Sequence, residues 1–560
     1  FVGLGVRATH LSLFEVRGAE RSRAQGVASM AIPAARGSVF DRNGAALALS
    51  VRAPSVYAHP ALIQDVDAAA ARLAPVLNRA APRIRERLAR AGGFVFLARW
   101  VSEETSRRVA ALSIPGVGIT EEPRRRYPLG ELAAQVLGFS NIDGDGVRGV
   151  ERLEDTWLRG ERQTVAVERD AKRRALAPGR LAPELGTGGD IALTLDAGTQ
   201  AHVERALERV VERSRARAGI AVLIDPRTGD ILALAERPTF NPNRFRDVPF
   251  RATRARAWAD ALEPGSTLKP FLVAAAIEGG VISEESEIDC GKGRYRLPGK
   301  TLRDARAMGV LSIADVLRFS SNIGAAKIGF ALGAEQHHAS LRAFGFGEKT
   351  GSGLPGESAG LLRDWRDWRA VDHATISFGH GVSVTALQLA SAMGALAHDG
   401  VWREPRLVAA RKRDDGSWRE EVPGLSRRST SPEAASAVAA MLEAAVGPGG
   451  TGASAAVAGA AIAGKTGTAQ KFDAKLGRYA DDRHLAWFAG TARVEDHQLV
   501  GVVMLDEPKG RAHTGGAIAA PLFAEIIERE FLRRGYAAGA REATGVAATD
   551  VGEPTPGDAG

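Results

Sequence analysis

Three short motifs, far apart in the chain, carry side chains that together suit acyl transfer through a serine ester. In chain order they are Ser266-Thr267-Leu268-Lys269, Ser320-Ser321-Asn322 and Lys465-Thr466-Gly467-Thr468. A serine hydroxyl is a poor nucleophile until a base takes its proton. A lysine serves as that base only when burial or a second cation destabilises its ammonium form. The motifs therefore indicate an enzyme that forms a covalent acyl intermediate.

The first motif is predicted to open a buried helix. An apolar run from Phe271 to Ile277 follows it. A helix that starts near Ser266 places Lys269 one turn later on the same face, and Pro270 is tolerated in a first turn whose N–H groups lack partners. We expect Ser266 to be the nucleophile and Lys269 its base, with Lys465 as the cation that lowers the pKa of Lys269.

The other two motifs are expected to bind substrate and move protons. Ser320 is a candidate for relaying a proton to a leaving amine, and Asn322 for holding a substrate amide. Lys465 and the hydroxyls of Thr466 and Thr468 suit a carboxylate.

Backbone groups are expected to complete this site. Gly467 lets a substrate backbone approach closely, as glycine does in strands. The N–H groups of Ser266 and Thr468 are candidates for an oxyanion hole, which is usually the largest single catalytic contribution.

Other chemistries have weaker support. Residues 459–466 match a Walker A pattern and residues 144–149 match G-x-G-x-x-G, but neither has the flanking strand and helix that nucleotide binding requires.

The single cysteine, Cys290, excludes a Cys-x-x-Cys zinc site and an intrachain disulfide. His337 and His338 are adjacent and diverge on a helix, so both are interpreted as structural or exposed. We expect no metal and no cofactor.

Length and composition predict a folded protein of several domains. The chain has 560 residues, 45% hydrophobic and 25% charged, with a net charge of +8, which fits a globular protein too long for one core. The run Arg124-Arg125-Arg126 is compatible with an anionic partner. Without a groove-binding motif, however, a solvated face is favoured and no nucleic-acid partner is expected.

Hydrophobic periodicity predicts one sheet built from distant parts of the chain. A hairpin is indicated at 37–44 by its Asn-Gly turn, helices at 65–93, and a polar ribbon or linker at 162–185. Beyond residue 190 the pattern predicts helices at 199–217 and 515–534 and strands at 219–224, 231–235, 485–491 and 499–505. The mostly helical segment 255–442 then reads as an insertion into that sheet.

The chain ends differ from the rest. Residues 1–6 are apolar, but Arg7 and His10 follow, so the run is far short of the ~20 residues that span a bilayer. We interpret 1–17 as the membrane-proximal stub of a truncated anchor. We expect domains at 18–190 and 191–535, and a disordered tail at 536–560 that has almost no large apolar residue.

The motifs and their surroundings resemble the class B penicillin-binding proteins, most closely the division-specific, FtsI-type peptidoglycan D,D-transpeptidases. The resemblance covers nearly the whole chain and rests on the following stretches: 36–44, 122–128, 149–151, 263–270, 377–381, 384–390 and 513–521, together with the three motifs.

The resemblance implies an α+β multidomain fold. An elongated N-terminal pedestal of the dimerisation type (residues 18–190) would precede a transpeptidase domain with an antiparallel sheet, flanking helices and a helical subdomain. It implies that Ser266 attacks the penultimate D-alanine of a peptidoglycan stem peptide ending in D-Ala-D-Ala, and that β-lactams acylate the same serine.

The resemblance further implies a single-pass anchor in the inner membrane, a periplasmic catalytic domain and division partners that include a membrane glycosyltransferase. Three alternatives stay open at this point: an elongation-type transpeptidase, a β-lactam hydrolase or sensor, and a non-catalytic division scaffold.

Overall fold

The computed structural model describes residues 27–32, 34–89, 94–160, 163–168, 187–473, 477–510 and 512–536. The predicted stub at 1–17, the tail beyond 536 and most of the polar ribbon at 162–185 lie outside these residues. The strands of the described part are β1 Val27–Ile32, β2 Val39–Phe40, β3 Ala46–Ala58, β4 Val95–Ala98, β5 Val117–Arg126, β6 Gln163–Glu168, β7 Ile191–Leu193, β8 Ala218–Ile224, β9 Ile231–Arg237, β10 Glu287–Asp289, β11 Arg294–Leu297, β12 Lys300–Arg303, β13 Val310–Ser312, β14 Val401–Arg403, β15 Val408–Lys412, β16 Trp418–Glu420, β17 Ser426–Arg428, β18 Ala461–Asp473, β19 Arg478–Val494 and β20 His497–Asp506.

The helices of the described part are α1 Val66–Leu77, α2 Ala81–Leu88, α3 Glu103–Ala111, α4 Ala134–Leu137, α5 Gly149–Leu153, α6 Asp155–Arg159, α7 Ala197–Ser214, α8 Arg256–Ala259, α9 Lys269–Glu278, α10 Ile313–Arg318, α11 Asn322–Leu332, α12 Ala334–Ala343, α13 Ala370–Ile376, α14 Ala386–Ala397, α15 Pro432–Val446 and α16 Ala520–Arg533.

Distant parts of the chain build the central antiparallel sheet, in the order β18-β19-β20-β8-β9. Alternate residues of β8 face opposite sides, as strand geometry requires. Ile220 and Val222 join the core formed with α9 and α14, whereas Ala221 and Leu223 join the core formed with α7 and α16. The prediction of one sheet with outer helices from both ends of the segment is therefore confirmed.

The helical segment inside this sheet also contains short hairpins that its sequence did not reveal. Strands β10 to β13 and β14 to β17 each contain three to five residues. Strands this short, with mixed exposure, leave too few positions for a period of two to stand out. One of these hairpins, β11–β12, ends next to a residue of the candidate site.

The pedestal is built on a second sheet, in the order β16-β15-β7-β2-β3-β4, with β5 also paired to β3. The hairpin predicted at 37–44 is present, because Val39 pairs with Ala48 across the turn. The helical region predicted at 65–93 is two helices, since Asn78 takes a left-handed conformation at the end of α1. Strand β7 pairs with β2 in parallel, so the sheet joins the pedestal to the residues that follow it.

The solvated-face interpretation of Arg124 to Arg126 is wrong for Arg125. Its side chain is 6% exposed and its Nε donates to Glu151 at 2.7 Å. Arg36 donates to the other oxygen of the same carboxylate and to Asp155. A carboxylate buried between two guanidinium groups keeps its charge, and the pKa of Glu151 is held low despite burial. Three sequence stretches of the pedestal thus meet at one ionic cluster.

The helical subdomain holds a histidine with an uncommon environment. His337 of α12 is fully buried, beside His373 of α13 and Trp368. Within the described residues neither ring nitrogen of His337 has a hydrogen-bond partner. Burial, with a further contribution from His373 and His338, lowers the pKa of His337 to about 3. The structural interpretation of this histidine is supported, and the folded protein holds its ring neutral.

Acid should therefore destabilise the protein through His337. Below its unfolded pKa of about 6.5 the unfolded chain binds a proton that the folded protein does not, so stability present above pH 6.5 is lost as the pH falls towards 3. Chemical denaturation should show that, between pH 7 and pH 4, the free energy of unfolding of wild type falls by about 3 kcal/mol more than that of His337→Leu. A pH-independent difference would contradict this assignment.

Candidate active site

Ser266 lies in a short 3-10 turn, Gly265–Leu268, that runs directly into α9. The helix was expected to begin near Ser266 and begins instead at Lys269. Gly265 has a positive φ of 56°, which glycine adopts without strain, and Thr267 Oγ1 donates to the Pro264 carbonyl at 2.9 Å. Ser266 is half-buried while its two neighbours are buried. The turn therefore holds one hydroxyl at an accessible surface on a rigid base.

Lys269 joins the first two motifs. Its side chain is fully buried, and its Nζ donates to the Ser320 carbonyl at 2.6 Å, to Asn322 Oδ1 at 2.9 Å and to Ser320 Oγ at 3.2 Å. Burial, and then the nearby Lys465 ammonium, hold the pKa of Lys269 well below its ordinary value of 10.5. The direction of this pKa shift is the one expected for a general base.

The second motif is ordered by a residue that the sequence did not single out. Asp304, next to β12, accepts hydrogen bonds from the Asn322 and Ile323 N–H groups at 2.6 and 3.2 Å and from Ser321 Oγ at 2.6 Å. A carboxylate at a helix N-terminus satisfies free N–H donors and the positive end of the dipole. Asp304 therefore fixes the start of α11 and with it the amide of Asn322. No motif or spacing marks it.

The third motif lies within β18, at the edge of the central sheet. This placement inside a strand excludes the Walker A interpretation, which needs a loop followed by a helix. Lys465 is fully buried, its Nζ donates to the Thr466 carbonyl at 3.2 Å, and burial lowers its pKa to about 7. Thr468 Oγ1 accepts a hydrogen bond from Gly515 N at 3.1 Å.

The structure gives a second reason for glycine at 467, in addition to the substrate approach expected from the sequence. A Cβ atom at this position would lie 2.5 Å from the Pro264 carbonyl oxygen and 3.0 Å from Thr267 Cγ2. The serine turn occupies the space that the missing side chain leaves. The absence of a side chain lets the turn pack directly on β18, which brings the first and third motifs together.

The segment 379–381 supports the serine turn on the side opposite β18. Gly265 N donates to the Gly379 carbonyl at 3.1 Å, and Gly381 N donates to Glu263 Oε1 at 2.9 Å. Tyr479 Oη, from β19, donates to the same oxygen at 2.8 Å. The turn is therefore held between this segment and the sheet.

Comparisons with known proteins agree with this geometry. Residues 31–189 match the penicillin-binding protein dimerisation domain, and residues 219–528 match the penicillin-binding protein transpeptidase domain. The probable peptidoglycan D,D-transpeptidase PenA of Neisseria gonorrhoeae is 36% identical over 515 residues, which cover 90% of this chain and 85% of that protein. The peptidoglycan D,D-transpeptidase FtsI of Escherichia coli K12 is 34% identical over 503 residues, covering 89% and 83%.

Solved structures give the same result. Penicillin-binding protein 3 of Mycobacterium tuberculosis in complex with aztreonam superimposes with a TM-score of 0.70 at 31% identity, covering 91% of this chain and 98% of that one. A peptidoglycan synthetase from Bifidobacterium adolescentis superimposes with a TM-score of 0.73 at 26% identity, covering 92% and 98%.

The chain therefore belongs to the penicillin-binding protein family, with the α+β fold predicted from its sequence. Within that family it is of the class B, FtsI type, and the predicted serine-type D,D-transpeptidase activity is confirmed.

Proposed function

We propose that Ser266 is the nucleophile of this transpeptidase and that Lys269 is its general base. The observation that carries this proposal is the position of the Lys269 amine, which is buried, has a pKa well below its ordinary value and contacts Ser320 and Asn322. In the first half-reaction Ser266 Oγ gives its proton to Lys269 and attacks the penultimate D-alanine carbonyl of a donor stem peptide. The C–N bond breaks, and the terminal D-alanine leaves with a proton relayed by Ser320.

In the second half-reaction an amine from a neighbouring stem peptide attacks the acyl-enzyme carbonyl. The new C–N bond is the cross-link, the bond to Ser266 Oγ breaks, and the proton released by the amine returns the serine to its hydroxyl form. A β-lactam enters the first half-reaction alone, because its opened ring stays attached and blocks the acceptor. Its adduct is therefore expected to persist.

The third motif is assigned to substrate binding. Burial lowers the pKa of Lys465 to about 7, so this amine gains a proton when a substrate carboxylate approaches, and Thr466 and Thr468 add hydroxyl donors. The N–H groups of Ser266 and Thr468 form the oxyanion hole of this proposal, since the packing of Gly467 on Pro264 brings their segments together.

The FtsI-type relationship supports a proposal for the cellular role. We propose cross-linking of septal wall during division, with division proteins that include a membrane glycosyltransferase as partners, and a single-pass anchor that places residues 191–535 on the periplasmic side with 18–190 as pedestal. Over the described parts of the chain, none of the helices has the length and apolar character needed to traverse a bilayer.

Mass spectrometry tests the assignment of the nucleophile. Intact protein exposed to benzylpenicillin should gain the mass of one penicillin, and peptide mapping should place that mass on Ser266. The Ser266→Ala protein should gain none. A stable adduct supports the transpeptidase assignment, rapid return to the free mass would point to a hydrolase, and an adduct on another residue would overturn the proposal.

A further inference from the structure

The substrate-binding strand is anchored at one point beyond its motif. Strand β18 pairs with β19 in unbroken register from Ala461 to Gln470, and the register shifts between Gln470 and Phe472. The residue at this irregularity is Lys471. Among the described residues, β18 pairs with a strand on only one side. Its course beyond Thr468 therefore depends on side-chain contacts more than that of an inner strand does.

Lys471 reaches across β19 to the end of β20. Its Nζ donates to Asp506 Oδ1 at 2.7 Å and to Glu507 Oε1 at 2.8 Å. Asp506 is the last residue of β20 and its side chain is fully buried. Lysine and arginine partners hold the pKa of Asp506 low in spite of this burial. A buried carboxylate keeps its charge only while its cationic partners stay in place, and Arg217 also lies 3.9 Å from Asp506.

The second oxygen of Asp506 ties the strand to the approach of the nucleophile. Asp506 Oδ2 accepts from Arg256 Nη2 at 2.8 Å, and Arg256 Nε donates to Asp260 at 2.7 Å. The buried Glu236 carboxylate accepts from the N–H groups of Arg256 and Ala257 at 2.8 and 2.9 Å. These bonds fix helix α8, from which a short segment leads to the serine turn.

We propose that Lys471 and Asp506 are positioning residues, which hold the downstream half of β18 and the segment entering the serine turn in one fixed relation. The inference rests on the function proposed above. Thr468 lies three residues before Lys471, and Ser266 lies beyond Asp260 on the segment that Arg256 fixes. The bridge from Lys471 through Asp506 to Arg256 therefore connects the two segments, at Thr468 and at Ser266, between which the acyl bond forms. Neither Lys471 nor Asp506 takes or gives a proton in the reaction.

Substitution of Lys471 tests this positioning role. In Lys471→Met the second-order rate constant of acylation by benzylpenicillin should fall roughly 10²-fold, as expected when reacting groups are displaced by about 1 Å. Lys471→Arg keeps a cation that reaches Asp506 and should recover most of the rate. Asp506→Asn should also lose rate, because it removes the charge that holds both cations.

Two further measurements separate positioning from loss of folded protein. The matched control is Lys412→Met, which removes a lysine that pairs with Asp190 at 3.3 Å in the pedestal sheet, and it should acylate at the wild-type rate. The slow variants should still bind one equivalent of penicillin covalently once the reaction is complete. Their acylation rate constant should depend on pH as in wild type, with a lower maximum.

A wild-type rate in Lys471→Met would overturn the inference, as would a shifted pH profile or a rate loss that matches a loss of titratable sites. An equal loss in Lys412→Met would overturn it as well. These outcomes are distinct from failure of the proposed function, since the latter requires that the wild-type protein is not labelled on Ser266.

Discussion

Replacing Lys269 with methionine should lower the second-order rate constant of acylation by benzylpenicillin about 10²- to 10⁴-fold, the range expected for loss of a general base. The substitution removes the only amine that contacts both Ser320 and Asn322 within the described residues. A methionine side chain fills similar space but takes no proton from Ser266. The structure thus predicts that the serine remains in place and loses its activation.

The conservative variant makes this prediction specific. Lys269→Arg keeps a cation but provides no base, because arginine is not deprotonated in proteins, so it should be about as slow as Lys269→Met. In wild type the acylation rate constant should fall as the pH is lowered, because Lys269 gains a proton. This fall at acidic pH should be absent from both variants. An active Lys269→Arg enzyme would show that charge, rather than base strength, is what the site needs.

Replacing Gly467 with alanine should be almost as damaging, although it adds a single methyl group. The new Cβ would lie 2.5 Å from the Pro264 carbonyl oxygen, so the serine turn must move away from β18. Overpacking of this kind costs about 1–3 kcal/mol of stability, and a displacement of about 1 Å at the reacting groups costs roughly 10²-fold in rate. Acylation should therefore fall far more than stability does.

Gly394→Ala is the matched control for this substitution. Gly394 lies in α14, and a Cβ there would meet its nearest neighbour, Ile224 Cδ1, at 3.6 Å, an ordinary contact. The control should acylate at the wild-type rate and gain up to about 1 kcal/mol of stability from helix propensity. The acylation rate constant and the midpoint temperature of thermal unfolding, measured for both variants, separate an effect on rate from an effect on stability. A Gly467→Ala enzyme with wild-type kinetics would contradict the packing described for the serine turn.

Local patterns were enough to predict the types of the candidate reacting groups, their order along the chain and the elements that carry them. Hydrophobic periodicity identified α7 and the strands β8, β9, β19 and β20, because buried faces repeat along a helix or strand whatever the chain does elsewhere. The motifs at Ser266, Ser320 and Lys465, with the surrounding stretches, identified the family. These signals are local, and a single sequence records them directly.

The distant residues that support those groups become apparent only in the folded protein. Asp304 caps the helix of Asn322, and Asp506 bridges Lys471 and Arg256, yet each is an ordinary acidic residue in the sequence. The burial of Arg125 against Glu151 and the need for glycine at 467 likewise depend on what packs opposite them. Such contacts join residues far apart in the chain, and their energy depends on distances and burial that no local pattern encodes.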